Sequence, residues 1–188
     1  MGGDGQGMGQ PIQLGSPWCW VPGPPVPKGR PRFSRAPGGQ VRTRTPKRTQ
    51  AWQALAFHYL RAARVGAWGW QGHRAHPGVA EAWPAPGAVA VGPVAVEVLA
   101  VFSRPKRLER RADPAGPIEH DKRPDVDNLG KSALDALQQA GWLVDDGQVS
   151  CLTCRKWWAP KSWEIGPGVR IVVQAGSWTV PTKGGRRG

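Results

Sequence analysis

Apolar positions along the chain follow two periods. Trp52, Leu55, Ala56, Tyr59, Leu60 and Ala63 recur at three- and four-residue steps between Lys47 and Arg64, which puts them on one stripe of an amphipathic helix. A second helix is predicted over about residues 126–140. Leu129, Ala133, Ala136, Leu137 and Ala140 share a face there, an aspartate precedes it as N-cap, and Gly141 offers the left-handed residue that ends it. Val94, Val96, Val98, Ala100 and Phe102 alternate with Ala95, Glu97, Leu99 and Val101, so both faces are mostly apolar, as in a central strand covered on at least one side. Runs at 18–21 and 40–45 predict short strands, and 148–158 with 169–174 predict a closing hairpin or pair of strands. The order is β-β-α-β-α-β-β, an α/β (α+β) chain with two main helices.

Punctuation divides the rest. Prolines at 22, 24, 25, 27, 31 and 37 exclude a helix from 22–39, leaving an extended arm or loop. Residues 66–92 turn to Gly, Ala, Pro and Trp without periodicity and read as an irregular insertion. The stretches 1–15 and 177–188 are small and polar and are expected to be flexible tails, the second of them basic, around a single domain at 16–176.

Charge changes this picture. With 26 Lys+Arg against 13 Asp+Glu, the 188 residues carry a formal +13, which favours a polyanionic partner. Residues 1–80 hold eleven basic residues and one acid, Asp4. The loop 103–123 adds five arginines with Lys106 and Lys122. Clustered carboxylates in such a protein need a task or a pairing partner. The longest apolar stretch, 88–102, is interrupted by Gly92, Pro93 and Glu97 and falls short of the ~20 residues a membrane span needs, so no membrane association is expected. The glycine-rich start lacks an apolar signal core, and three cysteines, an odd number, suit a reducing compartment, so cytoplasmic residence is expected.

The acids gather around the second helix. Asp125 and Asp127 lie two apart at its start, where an extended backbone would turn both to one side and the helix N-terminus favours negative charge. Together they make half of a site for a hard cation such as Mg²⁺. Lys131 follows one turn later, beside the same pocket, and Asp135 one turn after that. Asp145 and Asp146 precede the next strand, and if extended only one of them faces the pocket. Three carboxylates around a divalent cation within a basic protein suit phosphodiester hydrolysis. The same residues also read as helix caps and turn formers.

The segment KRPDVDNLGKSALDALQQAGWLVDDGQV at 122–149 resembles the RusA family of Holliday-junction resolvases, in its phage and prophage form. PGPPVPKGRPRFSR at 22–35, QVRTRTPKRTQAW at 40–52 and CRKWWAP at 154–160 extend the similarity over about 18–175. The resemblance implies a small α/β homodimer with a mixed sheet that cleaves four-way DNA junctions by paired, Mg²⁺-dependent nicks, with Mn²⁺ as a substitute and no small-molecule cofactor. It assigns Asp125, Asp127 and Asp146 to the metal and catalysis and Lys131 to catalysis, with Asp145 in a supporting role. The insertion, both tails and Gly130 inside the catalytic helix depart from that pattern.

Lys28, Arg30, Arg32, Arg35, Arg42, Arg44, Lys47, Arg48, Lys122 and Arg123 are the candidate DNA contacts, reading phosphates without sequence preference. Cys151 and Cys154 have the spacing of half a zinc site, but three residues apart on a strand they face opposite ways. His120, the only histidine near the aspartates, reads as a surface or loop residue and a supporting candidate, and most tryptophans read as core. Two other readings remain open: a DNA-binding or regulatory module without catalysis, and a nuclease for other branched nucleic acids.

Overall fold

The computed structural model describes residues 18–30, 32–35, 37–64 and 87–179. The alternating run produces the centre of a sheet. β4 (Val89–Phe102) buries Val94, Val96, Val98 and Ala100 on one face and leaves Ala95, Glu97 and Leu99 half-buried on the other. β7 (Gly168–Thr179) pairs with it antiparallel and β6 (Val149–Trp158) pairs with it parallel. β1 (Trp18–Pro22) lies outside β7, and the two-residue β5 (Ile118–Glu119) lies outside β6, giving the order β1-β7-β4-β6-β5. The last two long strands therefore form no hairpin; β4 separates them. β4 also begins earlier than its alternation suggests, because a register shift between Val91 and Val94, at Gly92 (φ +75°) and Pro93, masks the period. Residues 89–92 thus belong to the sheet, and β7 continues three residues past the expected domain end at 176. The remainder of the expected insertion, 66–86, and most of the two expected tails lie outside the described residues.

Two helices cover the buried face, making one α+β domain around one core. α1 (Lys47–Arg64) contributes Trp52, Ala56 and Leu60, and α2 (Val126–Gln139) contributes Leu129, Ala133, Ala136 and Leu137. α2 ends as its glycine predicts: Gly141 takes φ +77°, its N–H donates to the Gln138 carbonyl, and Trp142 N–H donates to Leu137. Trp142, 1% exposed, then donates its indole N–H to the Leu60 carbonyl at 2.9 Å, joining the two helices.

The proline-rich segment is an arm fixed to this body. Val26 is buried, Gly23 N–H donates to Pro167, and Lys28 N–H donates to the Asn128 carbonyl at 2.9 Å. Gly29 lies so close to α1 that a Cβ there would stand 2.8 Å from Pro46. Past the arm, β2 (Arg32–Arg35) and β3 (Val41–Arg44) pair as a separate antiparallel ribbon, so the expected unbroken loop contains a strand.

Candidate active site

α2 runs antiparallel to β6 and packs on it closely. A Cβ added at Gly130 would stand 3.0 Å from Leu152 Cδ2 and 3.8 Å from Cys154 Cβ, which accounts for a glycine inside this helix. The N-terminus of α2 therefore sits near the C-terminal end of β6. Asp125 occupies the N-cap with extended backbone (φ −72°, ψ 142°), yet its side chain makes no capping hydrogen bond, and the exposed carboxylate stays available. Asp127 lies inside the first turn, so the two acids stand as cap and first-turn residue and not as neighbours on a strand. Lys131, one turn on, approaches Asp127 at 3.6 Å with both side chains well exposed.

Beside Asp125 opens a cavity of about 750 Å³. Its floor is aromatic. Phe102 and Trp158 are paired at the ends of β4 and β6 and so share the helix-covered face. His120 stacks on Trp158 at 3.8 Å and 17° and lies 4.6 Å from Phe102. Arg30, Arg48 and Arg123 line its walls, with Asn128 from the first turn of α2. Rings on the floor and cations at the wall suit a nucleotide strand: a base can stack while phosphates meet guanidinium groups.

His120 corrects an expectation: it is 4% exposed and belongs to this floor, not to the surface. Its Nδ1 accepts the Lys122 N–H at 3.1 Å, so Nε2 carries the proton of the neutral ring. Burial, and then the charge of Lys156, push its pKa below the ordinary 6.5. Lys156 is a site residue that sequence reasoning missed. Its ammonium donates to the carbonyls of Lys122 and, at 2.7 Å, of Pro124, thereby holding the turn that presents Asp125. Strand alternation, which puts residue 156 on the same face as Cys154 and Trp158, was the available signal.

Asp145 and Asp146 precede the strand as expected, but Asp146 stands on a turn and not on extended backbone. Asp145 caps a short 3₁₀ turn (Asp146–Gln148), accepting the Gly147 N–H at 2.7 Å, while Gln148 accepts from Val144 and Asp145 in return. Asp145 is thereby occupied, and Asp146 is exposed on that turn. Gln148 also donates to the carbonyls of Ala90 and Gly92, which anchors the turn at the start of β4, opposite the end that carries Phe102. Asp125 and Asp146 thus lie at opposite ends of α2, whose 14 residues span about 21 Å. One chain does not bring the expected trio together, and among the described residues no three His, Cys, Asp or Glu side chains gather to hold a metal ion.

Asp125 and Asp127 still fit a hard divalent cation. They are exposed oxygen donors at a helix start, one with no capping bond, and Mg²⁺ is commonly held by one or two carboxylates with waters completing its shell. Asp135 is engaged elsewhere: it pairs with Lys28 at 2.8 Å and accepts from Gln53 at 3.2 Å.

The expected DNA contacts also sort themselves. The Lys28 ammonium is committed to Asp135, and Lys122 pairs with Asp121 at 2.9 Å. Arg30, Arg48 and Arg123 face the cavity; Arg35, Arg42 and Arg44 are exposed on the ribbon with Arg32 in its first strand, and Lys47 is exposed at the start of α1. The cysteines are free thiols; burial pushes Cys19 up to about 12 and Cys154 up to about 11.

A family model described as endodeoxyribonuclease RusA matches residues 74–174, more than half of the chain, including α2, both aspartate pairs, β4, β5, β6 and the first seven residues of β7. No curated protein matches the sequence.

Proposed function

The chain belongs to the RusA endodeoxyribonuclease family, metal-dependent nucleases that resolve Holliday junctions, and from that premise we propose that it nicks branched DNA with Mg²⁺, cutting opposed strands of a four-way junction in pairs as a homodimer. The observation that carries this is Asp125: a carboxylate at a helix N-cap, unspent on capping, at the wall of a cavity with an aromatic floor and three arginines.

Asp125 and Asp127 would hold the cation, and Mn²⁺ would serve as well, since both ions favour carboxylate and water oxygens. When bound, the ion polarises the scissile phosphate and offsets charge on the departing oxygen. The chain's own residues do the rest. Arg30, Arg48 and Arg123 neutralise and orient the phosphates on either side. Lys131, weakly paired to Asp127, is near enough to exchange that partner for a phosphate oxygen. The rings of Phe102, His120 and Trp158 exclude water from the floor and offer a stacking surface.

Asp127→Asn is the test. A neutral amide weakens cation binding and leaves the basic surface intact, so the variant should bind a synthetic four-way junction in EDTA as tightly as the wild type. In Mg²⁺ its nicking should fall by at least about a hundredfold, the scale on which removing one group from a preorganised site acts. Cleavage at the wild-type rate would refute the assignment.

A further inference from the structure

We infer that the ribbon of β2 and β3 reads the branch point: Phe33 and Val41 cap an open base pair there, while Arg42 and Arg44, on the opposite face, hold the phosphates of the adjoining arm. The inference rests on the nuclease reading above for its substrate and deepens it by naming what in branched DNA is recognised.

The register of the ribbon sorts its side chains into two unlike faces. Phe33 stands opposite Thr43 and Arg35 opposite Val41, so these four share one face; Ser34 stands opposite Arg42, which with Arg44 occupies the other. Phe33 is 72% exposed and Val41 63%, and no large apolar side chain among the described residues is more exposed than Phe33. The two lie on a diagonal of their face, a separation of about 7–8 Å that an aromatic ring can bridge, and so form one apolar patch. Every described side chain of both strands is exposed, and a two-stranded ribbon is at best marginally stable alone. The ring therefore adds no burial to the free protein.

Charge names the occupant. From Lys28 to Arg48 the chain carries eight basic residues and no acid. A partner for this ribbon must be anionic as well as flat and apolar, which describes the end of a base-paired stack flanked by its phosphates. A second copy, carrying the same cations, would repel it.

Position connects the ribbon to the chemistry. Arg30 precedes β2 and Arg48 follows β3, and both line the cavity beside Asp125, so the ribbon rises from the mouth of the candidate active site. Phe33 is three residues from Arg30, at most about 11 Å along the chain. At about 3.4 Å per nucleotide, the open base pair lies within about three nucleotides of a phosphate held by Arg30. Selectivity follows from stacking. Intact duplex must unstack a base step to admit a ring, which is costly, whereas the last base pair of each arm at an open four-way junction has no neighbour on that side. The same ring gains a stacking contact at a branch and none on linear DNA.

Phe33→Ala tests this, read as affinity in EDTA for a synthetic four-way junction and for a linear duplex of matching sequence. Junction affinity should fall about tenfold, the loss of one ring stacked on a base, and duplex affinity should change by less than about twofold. Phe33→Trp should restore the preference for the junction. Arg42→Ala and Arg44→Ala should weaken binding to both DNAs, each reducing the salt slope by about one. A Phe33→Ala protein that prefers the junction as strongly as wild type overturns the proposal, as does an equal loss of affinity on both DNAs or a wild type with no preference. A Phe33→Ala change that alters the oligomeric state by light scattering and leaves both affinities as they were gives the apolar face to a second copy and overturns it as well. A wild type whose junction preference depends on Phe33 but which never nicks in Mg²⁺ supports the role of the ribbon and overturns the nuclease reading instead.

Discussion

Replacing Lys156 by Met removes an ammonium and keeps an unbranched side chain of similar length against the sheet. The lost interactions are two charge-assisted hydrogen bonds, to the carbonyls of Lys122 and Pro124. Such bonds are worth about 1.5–3 kcal/mol each when well buried. The one to Lys122 is solvent-exposed and Lys156 is only half-buried, so the pair together should contribute about 2 kcal/mol. For a domain of this size that lowers Tm by about 4–8 °C, readable in thermal or urea unfolding. Cleavage should suffer more than stability. At 25 °C the variant stays folded, but the turn before Asp125 is released, and a misplacement of about 1 Å at a reacting centre can cost about a hundredfold in rate. A third readout separates positioning from folding: the Lys156 charge helps to depress the pKa of His120, so in Lys156→Met the imidazole should titrate closer to its ordinary 6.5 by NMR. A variant that nicks junctions within twofold of wild type, with an unchanged His120 titration, would refute Lys156 as the residue that positions Asp125.

Two further outcomes follow from the same geometry. Because burial and Lys156 lower the pKa of His120 by more than a backbone hydrogen bond and the neighbouring Asp121 raise it, folding favours the neutral ring; its contribution to stability is complete above about pH 6.5 and is lost as pH falls through the lower folded value. His120→Phe, which keeps a ring on Trp158, should therefore narrow the acid-side fall in Tm relative to wild type and leave the difference flat above pH 7; parallel Tm–pH curves would contradict this. The Lys28–Asp135 pair should show a coupling of about 0.5–1 kcal/mol in a double-mutant cycle, and Lys28→Met should leave the salt dependence of DNA binding unchanged, while Arg30→Ala or Arg48→Ala each reduces the slope by about one; an equal effect at Lys28 would mean that its ammonium leaves Asp135 for the phosphate.

Local period was legible and long-range pairing was not. The stripe from Trp52 to Ala63 gives α1, and the Asp cap with Gly141 gives α2 to within a residue at its C-terminal end, because each signal lies within a few residues of the backbone it shapes. Charge was legible in amount but not in use. Arg104 donates to the carbonyls of Ala159, Pro114 and Gly116, Lys161 to those of Arg110 and Asp113, and Arg64 to those of Ala88 and Gly87. These cations hold loops together, and a count of basic residues alone cannot separate them from the arginines that face the cavity.

The three aspartates expose the same limit at the site itself. Their spacing in sequence gives the caps and turns at each end of α2 correctly, but convergence in space depends on which way the following strand runs. Alternation along 149–158 is compatible with either direction and with any neighbour, since period 2 carries no information about the partner strand. Once β6 runs antiparallel to α2, the helix rise alone separates Asp146 from Asp125, and no side-chain rotation closes a gap of about 20 Å.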